Sequence, residues 1–419
     1  MGSTITDFHQ LGLSAEILRD IGRAGFTTPT PVQAQAIPPA LQGSDVIGCA
    51  QTGTGKTAAF VIPMVERLAD KAGVRGLILA PTRELAIQIQ QAITQLGTTR
   101  RVRAAIIVGG VAMGPQVQTL RHRPHIIVAT PGRLLDHMGQ GTVRLNDIEM
   151  LVLDEADRML DMGFAPQLER ILRQVPQHRQ TLLFSATIPA EIAALAKAHL
   201  RQPVRVNIGR SATPAERATH QLFAVGGHEK TALLLALLKD QQGTVLVFTR
   251  TKHRADRVAH AVQTAGHRVA CIHANRSQSQ RQEALAGFKS GKYQVLVATD
   301  IAARGIDVAN IAHVINYDLP NTAEDYVHRI GRTARVQASG LASSFASPEE
   351  REQLWDIERL LGKPVPRAER PASLGPMDPA LTLERPMASG GGQRPHRFTQ
   401  RRQRDLWPRS PGAAARRSR

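Results

Sequence analysis

The chain has 419 residues, with 53 Lys and Arg against 35 Asp and Glu and a formal charge of +18. That length allows two or three domains with separate cores. No uninterrupted apolar run nears the ~18 residues needed to cross a bilayer, and Met1 to Phe8 lacks the pattern of a secretory leader. Cys49 and Cys271 lie far apart, without metal-ligand spacing. A reducing, cytoplasmic setting is therefore expected. The basic excess favours a polyanionic partner, either nucleic acid or an acidic membrane surface. Only nine of the basic residues are lysine, so an arginine-favouring composition is the alternative source of the charge.

Leu11, Leu13, Ile17, Leu18 and Ile21 recur at helical spacing and predict an amphipathic helix that stops at Gly25. Gly25 to Gln33 follows, stiffened by Pro29 and Pro31, the second of which can open a helix. Phe26 and Gln33 would suit stacking on a base and reading its edge. A plain loop–helix junction is the other reading.

Asp45 to Ala50 reads as a strand and runs into Ala50-Gln51-Thr52-Gly53-Thr54-Gly55-Lys56-Thr57. The glycines let backbone amides approach phosphate, Lys56 adds a point charge, and Thr57 offers a hydroxyl to Mg²⁺. Ala50 stands where the general pattern has Gly. A helix from Thr57 to Ala69 points its positive end at the anion.

Further strands are predicted at Leu77–Ala80, Ala104–Val108, Ile126–Ala129, Leu151–Leu153 and Thr181–Phe184. They end in Pro81-Thr82-Arg83-Glu84-Leu85, Gly109-Gly110, Thr130-Pro131-Gly132-Arg133, Asp154-Glu155-Ala156-Asp157 and Ser185-Ala186-Thr187. Apolar strands that each end in polar residues and a helix make a doubly wound parallel sheet. All the informative residues then lie on one edge. A phosphate loop and a strand end carrying carboxylates together form an ATPase core.

Asn207 to Thr219 has no apolar period and reads as a linker. A second α/β run follows, with strands expected at His220–Val225, Val245–Phe248, Val269–Ile272, Val295–Ala298, His313–Asn316 and Leu341–Ala346. It has no phosphate loop. It has Asp300 to Asp307 and the arginine-dense Tyr326 to Arg335, which suit phosphate recognition. Residues 371–419 carry ten Arg, no Lys and three acids, a composition too polar to fold. This segment reads as an RNA-binding arm with Phe398 and Trp407 available for stacking, or else as a solubilising tail.

These motifs, in this order and spacing, resemble the DEAD-box ATP-dependent RNA helicases of superfamily 2. The resemblance covers nearly all of residues 6–365. Asp318 to Tyr326 is most similar to the bacterial RhlE-type branch. Ala50 is the family's own variant of the phosphate loop, whereas Ala334 departs from the family's usual Gly. The resemblance implies an α/β fold of two tandem RecA-like doubly wound parallel-sheet domains with a flexible basic C-terminal tail. The expected boundaries are an N-terminal helix and glutamine-motif segment at 1–36, an ATP-binding domain at 37–207, a linker at 208–219, a second domain at 220–366 and a disordered tail at 367–419.

The same resemblance implies an ATP hydrolase acting on RNA, with ATP and Mg²⁺ as cofactors. Lys56 would hold the β- and γ-phosphates, and Thr57 with Asp154 would hold Mg²⁺, Asp154 through water. Glu155 would orient the attacking water, and Arg332 and Arg335 would serve as arginine fingers. Asp307 would touch the ribose, and Phe8, Phe26 and Gln33 the adenine. His328 and Arg329 would couple the lobes through Ser185-Ala186-Thr187 and Asp157. Pro81, Thr82, Arg83, Gly109, Gly110, Thr130, Pro131, Gly132 and Arg133 would line one half of an RNA track, with Arg250, Gln278, Arg281 and Thr299 on the other. The implied partner is RNA, bound without regard to base sequence, as a monomer off the membrane, with ribosome-assembly or RNA-decay complexes as candidate settings. An ATP-gated RNA clamp and a DNA-directed translocase of the same superfamily are the alternative functions.

Overall fold

The computed structural model describes residues 5–50, 53–207, 218–303, 311–333 and 340–375. Its first lobe holds seven strands: β1 (Val46–Cys49), β2 (Gly76–Leu79), β3 (Ala104–Ile107), β4 (Ile126–Ala129), β5 (Met150–Leu153), β6 (Gln180–Ser185) and β7 (Val204–Asn207). They form one parallel sheet in the order β3-β4-β2-β5-β6-β1-β7. The second lobe holds β8 (Thr219–Ala224), β9 (Val245–Thr249), β10 (Val269–Ile272), β11 (Val295–Thr299), β12 (His313–Asn316) and β13 (Leu341–Ala346). These six are also all parallel, in the order β10-β11-β9-β12-β13-β8.

Both sheets follow from strands that are apolar on both faces. In the first lobe, Val46, Ile78, Val128, Val152 and Phe184 enter one core. Their alternates Ile47, Leu77, Leu79, Ile127, Leu153 and Leu183 enter a second core on the opposite face. Period-two alternation places successive side chains on opposite faces, so helices must cover both. Truncating one such leucine to Ala is expected to cost roughly 2–5 kcal/mol.

Strand order divides the carboxyl edge of the first sheet in two. The ends of β5, β6 and β1 are neighbours, so the phosphate loop, the acidic strand end and Ser185–Thr187 meet. The ends of β3, β4 and β2 are neighbours on the other side, which gathers Gly109-Gly110, Thr130–Arg133 and Pro81–Arg83. Two different chemistries are thus sorted along one edge by topology alone.

Several boundaries differ from the sequence expectation. The N-terminal helix begins only at Ala15, with Ser14 as its N-cap, because Phe8–Leu11 forms a separate 3₁₀ turn. The expected break at 36/37 falls inside the helix Pro31–Leu41. Val32, Ala36, Ile37 and Ala40 of that helix join the first lobe's core, and Asp20 fixes the preceding helix by accepting from Thr99 N and Oγ1 at 2.8 and 2.7 Å. Asn207 ends strand β7 and Thr219 opens β8, so the second lobe's first strand starts one residue before the expected boundary at 220. The second lobe also continues past 366. Leu222 N donates to Pro366 O and Ala368 N to Leu222 O, both at 2.8 Å. Arg370 pairs with Glu229 at 2.7 Å. Residues 366–375 therefore strap the free edge of β8, and the tail expected from 367 cannot begin before that strap ends. Residues 376–419 lie outside the described residues. No helix among the described residues is long and apolar enough to cross a membrane.

His313 of β12 is 2% exposed. Its Nδ1 lies 2.7 Å from Gln241 Oε1 and its Nε2 2.8 Å from Ser343 Oγ. Burial pushes its pKa from 6.5 down to about 4. The folded protein keeps this ring neutral where an unfolded chain would protonate it. Its contribution is therefore complete above pH 6.5 and is lost as the pH falls toward 4, by about 3 kcal/mol. Urea unfolding between pH 7 and 4 should show a steeper loss in the wild type than in His313→Gln. Parallel slopes would remove the assignment.

Candidate active site and RNA interface

The phosphate loop is shaped by its own backbone. Gly53 and Gly55 have φ of +85° and +93°, and Gly55 caps the helix Lys56–Leu68. A Cβ at Gly55 would lie 2.6 Å from Gln33 Nε2, so glycine is required on steric grounds as well. Gln33 Nε2 donates to Gly55 O at 3.1 Å, and Gln33 Oε1 accepts from Thr30 N at 2.9 Å. Lys56 is 6% exposed, yet its Nζ has no hydrogen-bond partner. A buried ammonium without a partner is costly, and an anion held by the amides at this helix start would relieve it.

At the end of β5, Asp154 and Glu155 are 2% and 5% exposed. Glu155 has φ +50°, ψ +51°, a left-handed conformation that a non-glycine residue rarely adopts and that marks stored strain. This turn lets the Glu155 amide donate to Asp154 Oδ1 at 3.0 Å. Burial raises the Asp154 pKa to about 7, against the pull of Lys56. Glu155 behaves differently. Burial pushes its pKa upward, but Arg158, Lys56 and Arg332 together outweigh burial and lower it. Glu155 is therefore a carboxylate at neutral pH. Its Oε2 accepts no hydrogen bond, and Arg158 Nε stands 3.6 Å away. Oxygen donors at Asp154 and the nearby Thr57 suit a hard cation such as Mg²⁺.

Asp157 is the joint of the first lobe. Its Oδ2 accepts from Ala186 N, Thr187 N and Thr187 Oγ1 at 3.0, 2.9 and 3.1 Å, and its own amide donates to Ser185 Oγ at 3.3 Å. The expected coupling residues of this lobe thus do meet. From the second lobe, His328 faces Arg158 and Asp157, and burial with the Arg158 charge pushes its pKa to about 4. Arg332 is 3% exposed and close enough for its charge to act on both Glu155 and His328. Arg158, His328, Arg329 and Arg332 line one narrow cavity.

On the other half of the edge, Thr82 Oγ1 caps the helix Arg83–Leu96 by accepting from Leu85 N at 3.3 Å. Thr130 precedes the helix Pro131–Gly139 and makes no cap bond through its side chain. The first amides of these helices have no intrahelical partner. Arg83 lies across the Gly110 backbone, where φ is +73° and any Cβ would overlap the guanidinium. Arg133 Nη1 donates to Val111 O at 2.9 Å and so holds the Gly109–Val111 turn. Burial and the charges of Arg281 and Arg133 lower the Arg83 pKa, with Glu84 opposing. Three guanidinium groups from two lobes therefore lie within reach of one another's charge, with Glu84 beside Arg281 and Asp136 beside Arg133. Glu84 accepts from Arg281 Nη2 at 3.0 Å and Gln278 Nε2 at 3.4 Å. Thr299 ends β11 and is 9% exposed.

Some expected residues sit elsewhere. Arg329 does not reach the first lobe's coupling residues. Its Nε and Nη2 form a fork on Asp300 at 2.6 and 2.7 Å, its Nη1 reaches Asn316 Oδ1 and Asp318 O, and Phe248 lies under the guanidinium at 4.9 Å. Arg250 is engaged within its own lobe, with Nη2 on Glu350 at 2.8 Å. Both ends of the Gln33 amide are used inside the protein. Phe8 is buried at 3% beneath Phe26, which is 39% exposed, with ring centroids 6.4 Å apart. Only Phe26 offers a face for stacking. Gln51, Thr52, Asp307, Ala334 and Arg335 lie outside the described residues. Sequence reasoning passed over Glu84, Arg158, Asp300 and Glu350 as individual site residues. Glu84 and Asp300 were visible inside motifs, and Arg158 lies one helical turn after Glu155. Glu350 carried no local signal.

Arg329 supplies the sharpest structural test. Arg329→Lys keeps the charge and removes the planar fork, and should destabilise the second lobe by roughly 2–4 kcal/mol. Denaturant unfolding measures this, and an unchanged midpoint would remove the fork from the account.

A family model described as DEAD/DEAH box helicase matches residues 30–195, and one described as helicase conserved C-terminal domain matches residues 229–337. The chain is 45% identical over 369 residues to the DEAD-box ATP-dependent RNA helicase CshA of Geobacillus kaustophilus, spanning 88% of this chain and 79% of that one. It is 43% identical over 370 residues to CshA of Bacillus subtilis, spanning 88% and 75%. Among solved structures, S. cerevisiae Dbp5 bound to RNA and ADP BeF3 superimposes with a TM-score of 0.78 at 31% identity, covering 87% of this chain and 95% of that one. Both lobes are accordingly RecA-like, and the chain belongs to the family of DEAD-box ATP-dependent RNA helicases.

Proposed function

We propose that the chain is an RNA-stimulated ATPase that separates short RNA duplexes or remodels RNA–protein complexes without reading base sequence. The observation that carries this reading is a buried Lys56 ammonium and a buried Glu155 carboxylate oxygen, both without hydrogen bonds, with Arg332 of the other lobe close enough for its charge to act on Glu155.

In this reading Lys56 and the amides of the loop ending at Gly55 bind the triphosphate. Glu155, ionised and fixed by its strained backbone, accepts a hydrogen bond from water and aligns it for attack. Thr57 and Asp154 would hold a Mg²⁺ ion, which supplies charge neutralisation on the phosphates. Arg332, with Arg335, meets the charge that develops on the terminal phosphoryl group, and Asp307 touches the ribose. Phe26 stacks on adenine, with Phe8 as its support. Gln33 contributes through the loop it braces, and reads a base edge only by releasing one of its present partners. Asp157, held to Ser185-Ala186-Thr187, senses the second lobe through His328.

Arg83, Arg133 and Arg281, with helix-start amides and the hydroxyls of Thr82 and Thr130, suit phosphate and 2′-OH groups. Such contacts fix register and carry no base information. Gly109, Gly110, Pro131 and Gly132 let a strand approach closely. Gln278 and Thr299 continue the track, and Arg250 joins it on leaving Glu350. The related yeast structure, bound to RNA and ADP BeF3, supports a cleft that takes both ligands. We place the protein in the cytoplasm as a monomer, with ribosome assembly or RNA decay as its setting and residues 376–419 as a basic RNA-binding arm. The RhlE-type assignment rests on Asp318 to Tyr326, while the relatives compared above carry the name CshA.

ATP turnover with and without single-stranded RNA, with single-stranded DNA as control, tests the reading. RNA alone should stimulate, and equal stimulation by DNA would replace it with a DNA-directed translocase. Glu155→Gln should retain ATP and RNA binding and lose turnover by roughly 10²–10⁴-fold, whereas retained turnover would strip Glu155 of its role. Deleting 376–419, which spares the strap on β8, should weaken RNA binding and flatten its salt dependence. An unchanged salt slope would return the tail to a solubilising role.

A further inference from the structure

Asp256 is claimed by none of the motifs. It sits in the first turns of the helix Lys252–Thr264, which starts directly after the carboxyl end of β9. Its Oδ1 accepts from His273 Nε2 at 2.9 Å and from Arg276 Nη2 at 2.7 Å. His273 is 3% exposed and follows β10. Its Nδ1 accepts from the Asn275 amide at 3.3 Å, and Lys252 Nζ donates to Asn275 Oδ1 at 3.2 Å. The turn His273–Arg276, closed by Arg276 N to His273 O at 3.0 Å, is therefore held from the neighbouring helix by Lys252 and Asp256. Ser277 then caps the helix Gln278–Lys289. Gln278 and Arg281, in the first turn of that helix, are the groups that reach Glu84 of the first lobe.

The geometry points to Asp256 as a positioning residue for the second lobe's RNA surface. It couples the helix that follows Arg250 to the turn that aims Gln278 and Arg281, and it touches neither nucleotide nor RNA. Without its carboxylate, Arg276 and His273 lose their common acceptor. The turn is then free to shift, and the helix start shifts with it. A displacement of about 1 Å at a positioning element is enough to weaken a contact made at the far end of a long side chain.

The same neighbourhood invites a metal reading, because Asp256, Cys271 and His273 offer ligand atoms within 4.8 Å of one another. The donor set opposes it. The Asn275 amide occupies His273 Nδ1, so Nε2 carries the ring proton and faces Asp256 as a donor. Burial pushes the Cys271 thiol up to about 11, so it stays protonated. Arg276 Nη2 shares Asp256 Oδ1 with His273 and puts a guanidinium charge where a cation would bind. The cluster is one acceptor shared by several donors, which is the opposite of a ligand set awaiting a cation.

This inference rests on the RNA-track reading above. Its test is the ATPase of the full chain titrated with polyuridylate. Asp256→Ala and Arg276→Ala should each raise the half-saturating RNA concentration roughly tenfold, the scale of one lost charge-assisted hydrogen bond. RNA-free turnover, turnover at saturating RNA and the melting temperature should stay near wild type. The double variant should be no worse than either single one, because both remove the same link, and Asp256→Asn should recover part of the loss. Unchanged half-saturation, a parallel fall in RNA-free turnover, or additive losses would overturn the assignment. So would a cadmium–thiolate absorbance in the wild type that disappears in Cys271→Ser, which would make the cluster a metal site. If the wild type shows no RNA stimulation, the track itself is wrong and this inference falls with it.

Discussion

A buried ammonium after β1 and a buried carboxylate oxygen after β5 stand at the same sheet edge, on either side of the end of β6, and neither finds a hydrogen bond within the protein. Leaving such groups unsatisfied costs free energy comparable to a lost hydrogen bond or more, so the surrounding structure must hold them there. Two devices do so. The parallel strand order brings β5, β6 and β1 side by side, and the left-handed turn at Glu155 fixes the backbone that carries its side chain. The protein stores destabilisation in the one place where a polyphosphate and a water could remove it.

Dividing the site between two lobes makes that relief conditional. The first lobe supplies the loop, the carboxylates and the Asp157 joint. The second supplies His328, which faces Asp157 and Arg158, and Arg332, whose charge acts on Glu155. The other half of the edge repeats this logic, since Arg83 and Arg133 stand in one lobe and Arg281 in the other, with Glu84 against Arg281. Glu84 offsets the repulsion that would otherwise part three guanidinium groups. In the proposed reading, a nucleic-acid backbone there would add phosphates to the Glu84 carboxylate, and so would link strand binding to the nucleotide site.

Much of this was legible in the sequence because parallel strands announce themselves as short apolar runs with chemistry at their ends. Val269–Ile272 and Leu341–Ala346 begin and end where their residues predicted. Val204–Asn207 carried no strand expectation, because only Val206 of this edge strand is buried and its neighbours are exposed. The strap at 366–375 was also invisible. Its backbone bonds to Leu222 span more than a hundred residues, and its own side chains give no period. The partners of the arginines were the least accessible. A cluster such as His328-Arg329 says that guanidinium groups are needed, but not which of them faces across the cleft. Arg329 is held by Asp300 and Asn316 within its own lobe, and Arg250 is held by Glu350 a hundred residues away.

The central claim is that catalysis needs groups from both lobes on one phosphoryl group. The direct measurement is a crystal structure of the full chain with a non-hydrolysable ATP analogue and single-stranded RNA. The account predicts Lys56 Nζ and the Arg332 guanidinium within hydrogen-bond reach of the terminal phosphate, with Glu155 beside the attacking position. A closed complex in which Arg332 points away from that phosphate would contradict it.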